Sequence, residues 1–337
     1  MRIELTLRKK MKNNLIKYLK NFKSKKILIV GDIMLDHYLL GSVERISPEA
    51  PIPVVAVKSE RFKLGGGANV ASNLVSLGAI PYLIGVVGKD KNSEILIKLL
   101  RESKIADDLI ISSDEAKTST KTRVIAHNQH VVRIDNEKTQ TISKKVEFSI
   151  VQSFNKVIKK VDAVIFEDYN KGLFSKDLIK TLISSAKKYK KPILVDPKKQ
   201  NFFDFVGCTV FKPNFSEFCQ AINISFCSEE EIEKAAKKLL AELNVKYLLL
   251  TKGENGMTIF SKNTTYSIPA LSKKIFDVSG AGDTVIASFA LSFCSGASAL
   301  ESSKIANFAA SVVCSKLGVK AVSLEELKKA IKRKDYF

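Results

Sequence analysis

The stretch Asp277-Val278-Ser279-Gly280-Ala281-Gly282-Asp283-Thr284 opens an apolar helical run in which Val285, Ile286, Phe289, Ala290 and Phe293 recur at helical spacing. Glycines that run straight into a helix leave backbone N–H groups unpaired and pointing outward, and the helix dipole adds partial positive charge there. Such a terminus binds anions, phosphate above all. Asp283 puts a carboxylate in the first turn, beside that anion. A bound phosphate repels it, so it does nothing for binding alone. It has a use if it takes the proton from a hydroxyl that attacks phosphorus. An aspartate in the first turn is also an ordinary helix cap, and the rest of the chain has to decide between the two.

Upstream, strands and helices alternate. Lys26-Ile27-Leu28-Ile29-Val30-Gly31-Asp32 is a continuous apolar run closed by Gly-Asp, the pattern of a central parallel strand. Strands follow at Pro81–Val87, Ala163–Glu167, Pro192–Val195, Thr209–Phe211 and Tyr247–Leu250, with helices at Ser93–Ser103, Ser175–Tyr189 and Glu229–Leu243. Further helices are expected at about 281–294, 298–317 and 323–332. This rhythm predicts an α/β fold, a doubly wound, mostly parallel sheet flanked by helices. Ligands of such sheets bind at the carboxyl ends of the strands. Those ends carry Asp32 and Asp36, Asp168-Tyr169-Asn170-Lys171-Gly172, Asp196-Pro197-Lys198-Lys199, Lys212-Pro213-Asn214-Phe215-Ser216-Glu217, and Thr251-Lys252-Gly253-Glu254.

Two regions break the rhythm. Pro48, Pro51 and Pro53 exclude a helix, and Val54–Lys63 and Thr120–Asp135 read as strands, the second folding back near Asn128-Gln129. They predict a small antiparallel β lid, inserted at about 41–64 and 119–136 of a main domain spanning 25–337, with 1–24 as a basic, helical lead-in. Gly65-Gly66-Gly67-Ala68-Asn69 opens a helix with Val70, Leu74 and Leu77 on one face and Gly78 as its stop. No G-x-G-x-x-G and no G-x-x-x-x-G-K-[ST] occurs, which excludes a P-loop enzyme.

Composition narrows the classes. With 337 residues, 45% hydrophobic and 27% charged, a buried core is expected and global disorder is not. No apolar run reaches the roughly 18 residues of a membrane span. A formal charge of +20 raises nucleic acid as a partner, but the lysines are spread along the chain without a basic, aromatic-interleaved tract. The five cysteines are odd in number and form no C-x-x-C, which points to reduced thiols in a cytoplasmic protein. His127 and His130 form H-x-x-H, a spacing that in a strand sends them to opposite faces and argues against a metal pair.

These motifs resemble the ribokinase/PfkB family of carbohydrate kinases over about residues 25–333. Leu64 to Asn69 is similar to the family's first signature, Asp277 to Thr284 to its second, and Asn214-x-x-Glu217 to the N-x-x-E between them. Gly31-Asp32-Ile33-Met34-Leu35-Asp36, Arg45-Ile46-Ser47-Pro48-Glu49-Ala50-Pro51-Ile52-Pro53, Asp168-Tyr169-x-Lys171-Gly172 and Val195-Asp196-Pro197-Lys198 look like that family's D-glycero-β-D-manno-heptose-7-phosphate kinases. Departures are Ser279, where Thr is commoner, and Glu167, where Ser is commoner. No H-x-G-H follows the kinase stretch, so the resemblance implies the single-function form and a separate adenylyltransferase.

The resemblance implies phosphoryl transfer from ATP, with Mg²⁺, to the anomeric oxygen of the heptose 7-phosphate, on the way to ADP-heptose for lipopolysaccharide core. It makes Asp283 the general base and gives the transferring group to the amides of Gly280, Ala281 and Gly282. Asn214, Phe215, Ser216, Glu217, Lys252, Gly253 and Asn307 would serve ATP, with Glu217 on Mg²⁺, directly or through water. Asp32, Asp36, Gly65, Gly66 and Asn69 would hold the sugar, and Asp277 and Ser279 a monovalent cation such as K⁺. Arg45, Arg123, Lys171 and Lys198 are the candidates for the substrate phosphate. The lid would exclude water and pair two subunits in a homodimer. The rival readings are a kinase of this fold for another sugar, against which the Arg45 to Pro51 stretch argues, and a basic nucleic-acid-binding protein.

Overall fold

Runs of Ile, Leu, Val and Phe flanked by helices on both sides have no wet face, and they build the central sheet. The computed structural model describes residues 12–127, 129–139, 141–224, 228–271, 278–316 and 318–333. The strands are β1 (Lys26–Gly31), β2 (Ile33–Ile46), β3 (Pro53–Gly66), β4 (Ile80–Gly88), β5 (Ile110–Ser113), β6 (Ser119–Ala126), β7 (Gln129–Asn136), β8 (Ala163–Glu167), β9 (Ile193–Asp196), β10 (Val210–Phe211), β11 (Tyr247–Thr251), β12 (Met257–Phe260) and β13 (Thr265–Ile268). The large sheet has the order β13-β12-β11-β10-β9-β8-β1-β4-β5. It is parallel from β5 to β11 and antiparallel only in β11-β12-β13. The central strands β1, β8 and β9 are almost wholly buried, as expected for parallel strands covered on both faces.

The helices are α1 (residues 12–19), α2 (Gly67–Ser76), α3 (Lys91–Glu102), α4 (Lys144–Val157), α5 (Lys176–Lys188), α6 (Phe215–Ile222), α7 (Glu229–Glu242), α8 (Ala281–Cys294), α9 (Ala299–Cys314) and α10 (Leu324–Lys332). One apolar cluster on one side of the sheet gathers α1, α2, α8 and α9, and another on the other side gathers α4, α5 and α7. Helix α8 is buried nearly all round, from Asp283 to Ser292, so its N-terminus is held rigidly.

The lead-in is more than an appendage. Leu15, Leu19 and Phe22 are buried in the first cluster, so the described part of 1–24 belongs to the main body. The two inserted regions form one four-stranded sheet, β3-β2-β6-β7. Two antiparallel hairpins, β2-β3 and β6-β7, are joined through a parallel β2-β6 pair. Strand β2 begins at Ile33, well before the expected position 41, because the first strand passes into the lid through the single residue Asp32. Asp32 therefore sits at the junction of the two sheets, and the lid's inner ends lie over the carboxyl ends of β1 and β8.

Candidate active site

The two glycine-rich stretches meet. Gly280 caps α8 with φ +75, and a Cβ there would lie 2.8 Å from Asn69 Nδ2 at the start of α2. Only glycine combines that left-handed backbone with so close an approach. Asn69 Nδ2 donates to Asp283 Oδ2 at 2.6 Å, and the Tyr169 hydroxyl donates to Asp283 Oδ1 at 3.0 Å. Thr284 Oγ1 donates to Asn73 Oδ1 at 2.9 Å, which locks the first turn of α8 onto α2. Asp283 is only 4% exposed. Burial pushes its carboxyl up to about 6, the Asn69 bond opposes this, and the nearby Asp196 charge adds to it. The group is thus ionised at neutral pH, yet more basic than a free aspartate.

The floor of the site comes from neighbouring strand ends. Glu167 closes β8, Asp196 closes β9, and Lys212 follows β10. Lys212 Nζ is buried on Asp196 Oδ2 at 2.7 Å. Burial works to strip its proton, but Asp196 and Glu167 outweigh it and raise its pKa. It is a fixed positive charge under the Gly280-Ala281-Gly282 turn, 3.5 Å from where a Gly282 Cβ would be. Lys198 is ion-paired to Glu217 Oε1 and lies over the Tyr169 ring, 5.2 Å from its centroid. Asn214 and Glu217 form a capping box on α6: Glu217 N donates to Asn214 Oδ1 and Asn214 N to Glu217 Oε2, both at 2.8 Å.

A cleft of about 630 Å³ runs from this floor to the surface. Asp196, Lys212, Asp283 and the glycine turn line its buried end; Met257, Leu271, Val278, Ala310 and Cys314 line the rest with apolar surface. Asn214, Phe215, Ser216, Thr251, Gly253 and Asn307 border it as well, and the Asn307 amide is spent on the Pro269 carbonyl at 2.8 Å. The cleft is charged where phosphates would be and apolar where a base would stack.

On the lid side, Asp36 Oδ1 accepts from Arg123 Nη1 at 2.5 Å, and a Cβ on Gly65 would lie 3.0 Å from Asp36 Oδ2. Asp32 Oδ2 accepts from the backbone N–H groups of Tyr169 (2.7 Å) and Lys171 (3.2 Å). Burial first, then the Asp168 charge, pushes Asp32 up to about 7. Asp32 thus braces the loop that carries Tyr169. Lys171 Nζ meets Glu137 at 2.5 Å, and Lys121 lies 3.7 Å from the same carboxylate.

The structure divides the four phosphate-binding candidates. Arg123 and Lys171 lie on the lid side, paired with Asp36 and Glu137. Lys198 faces the other way, lining the phosphate end of the cleft beside Glu217. Arg45 is exposed at the outer end of β2, nine residues from Asp36 and so roughly 30 Å along the strand. Lys252 turns to Glu229 at 3.2 Å, outside the cleft wall that Gly253 helps to form. Asp277 lies outside the described residues; Ser279 is half-buried beside the glycine turn. Tyr169, Asp196, Lys212 and Glu167 were not singled out for roles by sequence. Their signal was position, since each stands at the carboxyl end of a parallel strand.

An anion-holding helix terminus, a buried lysine and a buried carboxylate at the base of one cleft make the machinery of a phosphoryl-transfer enzyme. The chain belongs to the pfkB family of carbohydrate kinases, whose pattern matches residues 24–327. It is 42% identical over 312 residues to the bifunctional protein HldE of Sulfurimonas denitrificans, covering 93% of this chain and 65% of that protein. It is 39% identical to bifunctional protein HldE of Helicobacter hepaticus, covering 90% of this chain and 63% of the relative. The chain thus spans a little under two thirds of the relatives it matches. Two solved structures share the fold. Arabidopsis thaliana ribokinase complexed with ribose and ATP has a TM-score of 0.73 at 19% identity, covering 92% of this chain and 99% of its own. Phosphofructokinase-2 from Escherichia coli in complex with potassium has a TM-score of 0.76 at 18% identity, covering 91% and 98%.

Proposed function

We propose that the protein transfers the γ-phosphoryl group of ATP to the anomeric hydroxyl of D-glycero-β-D-manno-heptose 7-phosphate. The observation that carries phosphoryl transfer is Asp283, buried and held by Asn69 and Tyr169 at the N-terminus of α8, beside Lys212 and the glycine turn. The heptose assignment rests on the Asp32 to Asp36, Arg45 to Pro53 and Asp168 to Gly172 stretches and on similarity to the HldE proteins.

Asp283 takes the hydroxyl proton. Even at about 6 its pKa lies far below that of a sugar hydroxyl, so the proton moves late, as the bond to phosphorus forms. The amides of Gly280, Ala281 and Gly282 and the Lys212 ammonium stabilise charge on the transferring oxygens. Asp36 and Asn69 bind sugar hydroxyls; Arg123 and Lys171 attract the 7-phosphate. The lid covers the acceptor and keeps water from competing. Mg²⁺, bound with ATP, neutralises triphosphate charge. Both Glu217 oxygens are already engaged, one with Lys198 and one with the Asn214 amide, so Glu217 fits that ion through water. Ser279 and Asp277 are the proposed ligands of K⁺, supported by the potassium complex of phosphofructokinase-2. The lid exposes Ile46, Ile52, Val57, Val132 and Ile134, each 48–60% accessible, which supports a homodimer formed through this sheet. The reaction belongs in the cytoplasm.

The test is ADP release by the purified protein with heptose 7-phosphate, ribose, fructose 6-phosphate and fructose 1-phosphate. Turnover with the heptose at least tenfold above the others is the expected result. Preference for another sugar would overturn the substrate and keep the reaction.

A further inference from the structure

The glycine turn that caps α8 is gripped from two sides. A Cβ on Gly280 would lie 2.8 Å from Asn69 Nδ2 and 3.3 Å from Val319 Cγ1. Asn69 is fixed by its bond to Asp283. Val319 belongs to the connection between α9 and α10, just beyond the cleft residue Cys314, and is buried. What fixes its backbone comes from a residue 256 positions away: Lys63 Nζ, on strand β3 of the lid, donates to the Val319 carbonyl at 2.6 Å.

The lid is built to deliver this ammonium. Lys63 stands directly opposite Asp36 in the antiparallel β2-β3 pair, so both side chains leave the same face of the sheet. The ammonium lies over the Tyr38 ring, 5.4 Å from its centroid, which steadies the long side chain. On the other side of the contact the chain turns at Gly318 with φ +73, where a Cβ would come within 3.3 Å of Lys63 Nζ. Glycine suits that left-handed backbone and leaves the approach open. An ammonium on a carbonyl is a charge-assisted bond, stronger than a neutral one, and this one is partly buried.

We propose that Lys63 is a positioning residue for phosphoryl transfer: through the Val319 carbonyl it fixes the wall against which Gly280 packs, and so the placing of the Gly280-Ala281-Gly282 amides. This rests on the reading that those amides hold the transferring group, and not on the identity of the sugar. The lid thereby acts on the phosphoryl side of the site as well as on the acceptor side, since Lys63 and Asp36 share one of its faces. Small errors in such placing are costly, because a shift of about 1 Å can slow a reaction about a hundredfold.

The experiment compares the wild type, Lys63→Met and Lys63→Arg in two measurements. The first is hydrogen–deuterium exchange of the substrate-free protein. Lys63→Met keeps the stem and loses the donor. It is expected to speed exchange about tenfold both in residues 318–322 and in the first turn of α8, residues 280–284, the factor that one bond to a charged group is worth. The second is ADP release with heptose 7-phosphate as acceptor and ATP varied. In Lys63→Met, kcat should fall about tenfold while KM for ATP stays within about twofold, the mark of an interaction made in the transition state. Lys63→Arg should recover most of that loss. Exchange that is unchanged, or faster in 318–322 alone, would overturn the proposal whatever the sugar. So would an unchanged kcat, or a loss that appears only as a raised KM. Absence of sugar-dependent ADP release by the wild type would count against the substrate, with the exchange result still deciding the role of Lys63.

Discussion

Replacing the proposed general base, Asp283, should make the protein more stable. In the folded chain the Asp283 carboxyl holds its proton up to about pH 6, against 3.8 for the ordinary group. Between those values the folded state binds more protons than the unfolded one, so stability falls as pH rises through this window and stays low above it. At about 1.36 kcal/mol for each pH unit, the ionised carboxylate costs about 3 kcal/mol at pH 8. Asp283→Asn removes that cost. Its amide oxygen still accepts from Asn69, but its NH₂ cannot accept from Tyr169, a loss of about 1 kcal/mol. The net gain is about 2 kcal/mol. An unfolding entropy of about 2.1 cal/mol/K per residue over 337 residues turns this into a rise of about 3 °C in melting temperature. The assay is calorimetric melting in EDTA without nucleotide at pH 8 and at pH 3.5. The variant should melt about 3 °C higher at pH 8 and no higher at pH 3.5. A variant that melts at or below the wild type at pH 8, or gains equally at both, would show that the buried carboxylate is not under this electrostatic cost.

Other sites give sharper functional readouts. Lys212→Met strands Asp196 and Glu167 without their shared cation; kcat should fall about 10²–10³-fold and stability by about 3–5 kcal/mol, seen in steady-state kinetics and urea unfolding. Arg123→Ala frees Asp36 from its ion pair, so KM for the sugar phosphate should rise at least about tenfold while KM for ATP holds, measured by varying each substrate in turn. Leu15→Ala opens a hole under α1 and should cost about 2–5 kcal/mol in urea unfolding with kcat unchanged, because residue 15 belongs to the core and not to the site.

How far the sequence could be read depends on the kind of signal each part carries. The central strands are apolar runs ending in a glycine or a polar residue, so β1, β8, β9 and β11 stand out, and the glycine-helix junction at Gly280 has the form of an anion site. Asn69 and Asp283 stand out in the sequence as candidate site residues, but their hydrogen bond does not, since 214 residues separate them. Strand β2 was less visible: its charged and glycine positions, Asp36, Gly41 and Glu44, blur the alternation, and its partners are far away in the chain. The lead-in carries Leu15, Leu19 and Phe22 at spacings of four and three, a helical stripe that abundant lysines hide. Tyr169 has no periodicity to reveal it. Its hydroxyl reaches Asp283 only because Asp32 clamps the loop backbone. Asn214 and Glu217, a pair that reads as nucleotide-binding, form the capping box of α6.

The most direct test of the central claim is sugar-dependent ADP release at pH 8, wild type against Asp283→Asn, with heptose 7-phosphate as acceptor. The account predicts turnover in the wild type and a loss of several orders of magnitude in a variant that is folded and no less stable. Sugar-dependent turnover in Asp283→Asn within tenfold of the wild type would contradict it, and would reduce the aspartate at the mouth of α8 to a helix cap.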